Sequence, residues 1–278
     1  MAVRKDPAIV GIARSLLPPW LHGVGRAVWR RWIATERFRA NARLRLSYLG
    51  HRLRGGSYLS WYARTLDQWA VEQRDDATME RRQRNLAESG REDLEILKHF
   101  GLQPHHSVHE FGCGMLRTAI HVIEYLEPGN YSGNDSSGER IETGRRMFAD
   151  RIAERRPTLI TNRDNSFDWL NGRTFDFLWC HAVFGHMPAR DVEDTLRDVR
   201  KAMHAGSVFL FSYDPPPAGC PDVIEEDPRN WMQSLDFYRR AADRNGYVVE
   251  DVTDIVRGYP SWRTRIHLAR LTLASGKG

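Results

Sequence analysis

Glu110, Gly112, Cys113, Gly114 and Asp135 are the residues whose types and spacing first suggest chemistry. Glu110 stands near the end of a short apolar run, Val108 to Phe111, and the two glycines follow directly. Glycine lets a backbone turn sharply and approach a ligand without Cβ collisions, and the free N–H groups of a following helix would aim at the same spot. Asp135, with Ser136 beside it, lies 23 residues after Gly112 at the tip of a second short strand. There its carboxylate could take both hydroxyls of a ribose. The stretch therefore reads as strand, glycine turn, helix, turn and strand, one βαβ unit able to hold a nucleotide-like cofactor.

The details decide which cofactor. A dinucleotide site wants G-x-G-x-x-G, and the third glycine position is filled here by Arg117, a long cation where close packing is needed. Glu110 suits a cationic amino-acid moiety better than a pyrophosphate. On these residues the chain resembles the class I S-adenosylmethionine-dependent methyltransferases, whose first motif has the form acid-x-G-x-G. More narrowly, GCGMLRTAIHVIEYLEPGNYSGNDSS, residues 112–137, resembles a bacterial subgroup with G-C-G-x-L-R followed by Y-L-x-P-G-x-Y-x-G-x-D-x-S. The resemblance implies that Glu110 binds the methionine end of S-adenosylmethionine, Gly112, Cys113 and Gly114 admit it, Arg117 orients its carboxylate, and Asp135 and Ser136 meet the ribose.

Further along, Asp164 or Asn165, after a third strand, could serve the adenine amino group, with Phe167 or Trp169 against the ring. A polar turn with two core aromatics explains the same letters. Phe175–Cys180 is a strand leading into HAVFGHMP, which resembles the family's F-D-hydrophobic-hydrophobic strand and the histidine segment after it. His181, at the strand tip, is the candidate base or a cofactor contact. His186 reads as a packed histidine with a local hydrogen bond. Asp214-Pro-Pro-Pro follows the fifth strand, not the fourth, and lacks the aromatic of the Asp-Pro-Pro-Tyr motif of amino-directed methyltransferases. It reads as a rigid loop bordering a substrate mouth, with Asp214 a secondary candidate for holding an acceptor.

The elements that must position these residues follow from periodicity. Tyr58 to about Phe100 reads as helical, ended by Gly101 and Pro104. Residues 139–153, 189–204 and 230–245 read as helices, and 157–161, 175–180 and 207–213 as strands; 247–253 and 264–273 alternate as two antiparallel strands. Unbroken apolar runs such as FDFLWC and SVFLFSY fit strands buried on both faces of a parallel sheet. The expected class is α/β, and the resemblance implies a Rossmann-like class I methyltransferase fold: a mostly parallel sheet with a C-terminal antiparallel hairpin, preceded by an α-helical N-terminal region. The VRGYPSW loop between the last strands is another candidate rim.

At 278 residues and 41% hydrophobic the chain can bury one full core plus an appendage. Cys113, Cys180 and Cys220 are too far apart for a zinc site and odd in number for a disulfide framework, which points to a reducing compartment. No signal peptide or spanning helix is evident. Residues 1–56 hold twelve Lys or Arg against Asp6 and Glu36, a balance of +10 in a chain of net +5, so the body carries −5. Residues 20–54 read as a basic, tryptophan-bearing amphipathic helix or pair of helices. They anchor on anionic lipid at the inner face of the membrane, meet an acidic partner as a basic arm, or pack their apolar face on the next domain; no nucleic-acid motif accompanies the charge.

These readings give a basic helical region over 1–80 and a methyltransferase domain over 81–278. The expected reaction is methyl transfer from S-adenosylmethionine to a small molecule, a sugar or a lipid-linked acceptor. A non-catalytic nucleoside-binding module and an NAD-dependent oxidoreductase are the alternatives. The acceptor and the oligomeric state are not fixed by the letters.

Overall fold

The computed structural model describes residues 39–72, 87, 89–164, 166–262 and 265–274. Contacts divide the chain into two units, 1–50 and 51–278. In the first, residues 39–50 are helical, with Leu46 and Leu49 exposed. The rest of the basic arm, residues 20–38, lies outside the described residues. Among the described residues no helix is long and apolar enough to cross a membrane.

The second unit is built on a seven-stranded sheet of order β3-β2-β1-β4-β5-β9-β8. Its parallel part comprises β1 (Val108–Phe111), β2 (Tyr131–Asp135), β3 (Thr158–Thr161), β4 (Phe175–Cys180) and β5 (Met203–Tyr213). The antiparallel part is β8 (Tyr247–Asp251) and β9 (His267–Leu273), with β9 between β5 and β8. β1 and β2 are buried at every position. Along β4, Phe177 and Trp179 enter one core cluster while Leu178 and Cys180 enter the other, so consecutive side chains serve opposite faces. This is the mostly parallel α/β architecture that the apolar runs predict.

Around the sheet lie α1 (Tyr58–Glu72), α2 (Gly90–His99), α3 (Ala119–Tyr125), α4 (Gly138–Met147), α5 (Ala149–Arg155), α6 (Ala189–Asp198) and α7 (Leu235–Asp243). Helix α1, which the sequence reading groups with the N-terminal region, falls in the second unit. The long helix expected over 58–100 is α1 and α2; residues 73–86 between them are outside the described set.

Several boundaries differ from the expectation. The helix expected over 139–153 is two helices meeting at Phe148, whose φ of −126° and ψ of 32° leave the helical well. The one expected over 189–204 stops at Asp198, passes through a 3-10 turn, Val199–Ala202, and yields to β5 at Met203. The largest difference is at 230–245. Asn230–Gln233 is a strand, β7, paired with β6 (Val223–Asp227) in a separate hairpin, and α7 starts only after Ser234. The Ser234 hydroxyl accepts from the Phe237 N–H, fixing that helix start. The Gln233 amide, fully buried, donates to the carbonyls of Phe184 and Met187 and ties the hairpin to the 3-10 turn, Phe184–His186, that follows β4.

Candidate active site

β1 is flanked by β2 on one side and β4 on the other, so the strand order reverses there and a crevice opens at the strand ends. A cavity of about 260 Å³ occupies that place. Glu110, Gly112, Cys113, Gly114, Arg117, Asp135, Ser136 and His181, named separately by the sequence, all line it.

The glycine turn is required by the chain itself. Gly112 has φ +83°, and a Cβ there would stand 2.3 Å from Val183 Cγ2. Gly114 has φ +53°, and its Cβ would meet Arg140 Nη2 at 2.6 Å. The expectation that free helix N–H groups face the ligand fails. Residues 113–118 form a turn and α3 begins only at Ala119, while the Gly112 and Cys113 N–H groups donate to the Asn134 carbonyl and that of Gly114 to Asp135 Oδ2 at 2.9 Å.

Asp135 is buried. Its Oδ1 accepts from the Ser137 N–H at 2.8 Å and its Oδ2 lies 3.7 Å from Arg140 Nη1, so the side chain is fixed at the strand tip. Arg140 Nε is itself buried without a partner. Glu110 is different. Burial pushes its carboxyl up to about 8, only partly opposed by the Tyr131 hydroxyl that donates to it and by Arg117. It is a buried acid set where a cation would complete it. Burial likewise raises the Cys113 thiol, and its neighbour Asp135 adds to this, so Cys113 packs and does not act as a nucleophile.

Arg117 and His181 meet at Asp93, a residue the sequence reading missed. Asp93 is fully buried on α2. Its Oδ2 accepts from Arg117 Nη2 at 2.6 Å and Thr118 Oγ1 at 2.5 Å, and its Oδ1 from Trp262 Nε1 at 3.2 Å. His181 Nδ1 lies 3.1 and 3.0 Å from the two oxygens. Burial alone would raise Asp93, yet His181 and Arg117 hold it well below the ordinary carboxylate range. The His181 ring stacks on Trp262 at 4.4 Å. Asp93 shares a helix face with Ile96 and Leu97, both buried, and an acid on an apolar face was the available signal.

Helix α1 covers the cavity with Leu59, Tyr62, Leu66 and Trp69. Asp67 fastens it, accepting from Ser137 Oγ at 2.6 Å and Arg163 Nη2 at 2.8 Å, and the Tyr58 hydroxyl donates to the His186 carbonyl. Asp164 is exposed, its carboxylate capping the Ser166 N–H, and Asn162 lines the cavity at this corner. Asn165 lies outside the described residues. Phe167 is buried in the core against Phe111, and Trp169 packs beside it. His186 is packed as expected, but its bond is not local: its Nδ1 lies 2.7 Å from the carbonyl of Arg229, 43 residues further along the chain, and burial lowers its basicity. Asp214 stands apart from the first cavity, on the wall of a second one, with its Oδ2 3.7 Å from Arg265 Nε.

Residues 109–209, just over a third of the chain, match a family model described as a methyltransferase domain. The fold is shared with magnesium protoporphyrin IX methyltransferase (ChlM) from Synechocystis PCC 6803 with bound SAM: TM-score 0.58 at 12% identity, covering 78% of this chain and 98% of that one. It is also similar to the glycopeptide N-methyltransferase MtfA complexed with S-adenosylmethionine, with TM-score 0.53, 15% identity and coverage of 66% and 94%. The CcbJ methyltransferase from Streptomyces caelestis gives TM-score 0.53 at 14% identity, covering 67% of this chain and 90% of that one.

Proposed function

We propose that this protein is an S-adenosylmethionine-dependent methyltransferase acting on a small-molecule acceptor. The observation that carries the reading is the pairing of Glu110 and Asp135 across the glycine turn, inside the segment that matches the methyltransferase model. The residues fit the donor's chemistry. Glu110 offers a buried carboxyl to the ammonium, Asp135 a fixed carboxylate to the ribose, and Arg117 a guanidinium to the donor's carboxylate, while Tyr62 and Trp69 supply aromatic walls. When bound, the donor supplies an electrophilic methyl group on a sulfonium. The chain's part is to hold donor and acceptor in line and keep water out, which α1 does by covering the cavity. The residues 112–137 that resemble the G-C-G-x-L-R subgroup support placing the chain in it.

The first unit serves attachment to anionic membrane surfaces. Its charge and the exposed Leu46 and Leu49, three residues apart on one helix, support this.

Calorimetry tests the donor reading. S-adenosylhomocysteine is expected to bind saturably and NAD to give no heat; saturation by NAD alone would overturn it.

A further inference from the structure

A second cavity, of about 410 Å³, adjoins the first; Arg117, His181, Ala182 and His186 line both. We infer that it holds the methyl acceptor, that the acceptor is a neutral polyhydroxylated small molecule of saccharide type, and that His181, oriented by Asp93, takes the proton of the hydroxyl being methylated. The inference rests on the donor reading above.

Size and lining set the ligand class. The volume suits a small molecule and not a folded partner. Among the described residues the wall includes Asp214, Glu226, Asn230 and Trp231, whose indole Nε1 is buried without a partner. Carboxylates and an amide satisfy hydroxyl groups, and a flat indole packs on the C–H face of a sugar ring. The cations nearby are already opposed: Arg117 by Asp93 at 2.6 Å and Arg265 by Asp214 at 3.7 Å. Among the described residues lining this cavity, an anionic acceptor would meet no positive charge other than Arg265, opposed by Asp214, and Arg117, which Asp93 opposes and the donor's carboxylate engages.

The junction of the cavities carries the chemistry. Both Asp93 oxygens lie within 3.1 Å of His181 Nδ1. An unprotonated Nδ1 would set its lone pair against two carboxylate oxygens, so the proton belongs on Nδ1 and the lone pair on Nε2. Arg117 Nη2, with two N–H groups, gives one to Asp93 Oδ2 at 2.6 Å and stands 2.8 Å from the same imidazole nitrogen; two carboxylate oxygens against this single cationic contact favour the proton on Nδ1, with the second Arg117 N–H turned aside. Asp93 is pinned by Thr118, Trp262 and Arg117 at once, and the Trp262 ring backs the imidazole. Asp93 is therefore a positioning residue, and its carboxylate also steadies the imidazolium that forms. As the acceptor oxygen's lone pair forms the new C–O bond, the methyl C–S bond breaks with its electron pair left on sulfur. The hydroxyl proton passes to His181 Nε2 and from there to solvent.

The test uses the full chain, methyl-labelled S-adenosylmethionine and a panel of neutral mono- and disaccharides, with the same sugars carrying a phosphate or an amino group as further arms. Label is expected on a neutral saccharide as an alkali-stable methyl ether. His181→Ala should lower kcat by a hundredfold or more, with the acceptor KM and the S-adenosylhomocysteine affinity within threefold. Added imidazole should restore at least tenfold of the loss. Should alanine unfold the chain, His181→Gln is the second variant, read by the same kcat and KM split. Asp93→Asn should lower kcat at least tenfold with KM held and gain nothing from imidazole; Trp231→Ala should raise KM at least tenfold. Transfer only to phosphorylated or amino sugars, or to no sugar, overturns the inference. So does full activity of His181→Ala, or imidazole rescue of His186→Ala in place of His181→Ala. Calorimetry on each protein separates the two readings: a wild-type chain that fails to bind S-adenosylhomocysteine defeats the donor assignment instead.

Discussion

Glu110→Gln removes one titrating group from the donor cavity while leaving an oxygen to accept the Tyr131 hydroxyl. In the donor-free protein, burial holds the Glu110 carboxyl near 8 against an ordinary 4.5. That gap corresponds to on the order of 5 kcal/mol against the charged form, at about 1.4 kcal/mol per pH unit. The sign follows directly. Between 4.5 and about 8 the folded chain keeps this proton and the unfolded chain has lost it. Stability contributed by the group is therefore whole below 4.5 and declines as pH rises through the window, with a slope approaching about 1.4 kcal/mol per pH unit. Urea unfolding of wild type and variant at two pH values, roughly two units apart within that window, isolates the term, since every other group titrates alike in both. Wild type should lose roughly 2 to 3 kcal/mol more than Glu110→Gln between the two. Donor binding should invert the preference, because an ammonium beside Glu110 favours the carboxylate. Titration calorimetry near neutrality, in buffers of different ionisation enthalpy, should then count most of one proton released by wild type and almost none by the variant. Parallel pH slopes for the two proteins, together with equal proton counts, would refute the reasoning.

Three further outcomes are expected. Asp135→Ala should weaken S-adenosylhomocysteine at least tenfold by calorimetry, about 1.4 kcal/mol, since it removes the proposed ribose partner together with the acceptor for the Gly114 and Ser137 N–H groups. Gly112→Ala should cost roughly 1 to 3 kcal/mol in urea unfolding, given φ +83° and Val183 at 2.3 Å, and Val183→Ala in the same chain should recover part of it. A chain beginning at Ser57 keeps all of α1 and should still bind S-adenosylhomocysteine, yet it should lose the salt-sensitive affinity of the full chain for anionic vesicles in a sedimentation assay.

The parts legible from sequence are those coded by neighbours along the chain. FDFLWC could be assigned because β4 is buried on both faces and needs no alternation, and Gly112 because a left-handed φ is needed at that one residue. What stayed hidden depends on partners far away in the chain. Asn230–Gln233 carries no strand pattern of its own and becomes β7 only because Val223–Asp227 folds onto it. Asp93 resembles an ordinary first-turn helix acid until Arg117, His181 and Trp262 converge on it from three other segments. The end of β3 at Thr161 was legible, but which side chain of the polar turn after it faces the cavity was not: Asn162 lines it, while Asp164 caps the Ser166 N–H at the surface.

The insertion of β9 between β5 and β8 bears on synthesis. Until residues 267–273 have emerged from the ribosome, the β5 edge that carries Phe209, Leu210 and Phe211 has β4 on one side and nothing on the other. The 60 residues from Tyr213 to Leu273 take on the order of 3 to 12 s to translate at about 5 to 20 residues per second. For that interval the nascent chain presents an apolar open strand, the kind of surface that holdase chaperones cover and that seeds misassembly when they do not. The antiparallel return of a late segment between β5 and β8 thus makes closure of the β5 edge wait for residues 267–273, whatever order the earlier βαβ units form in.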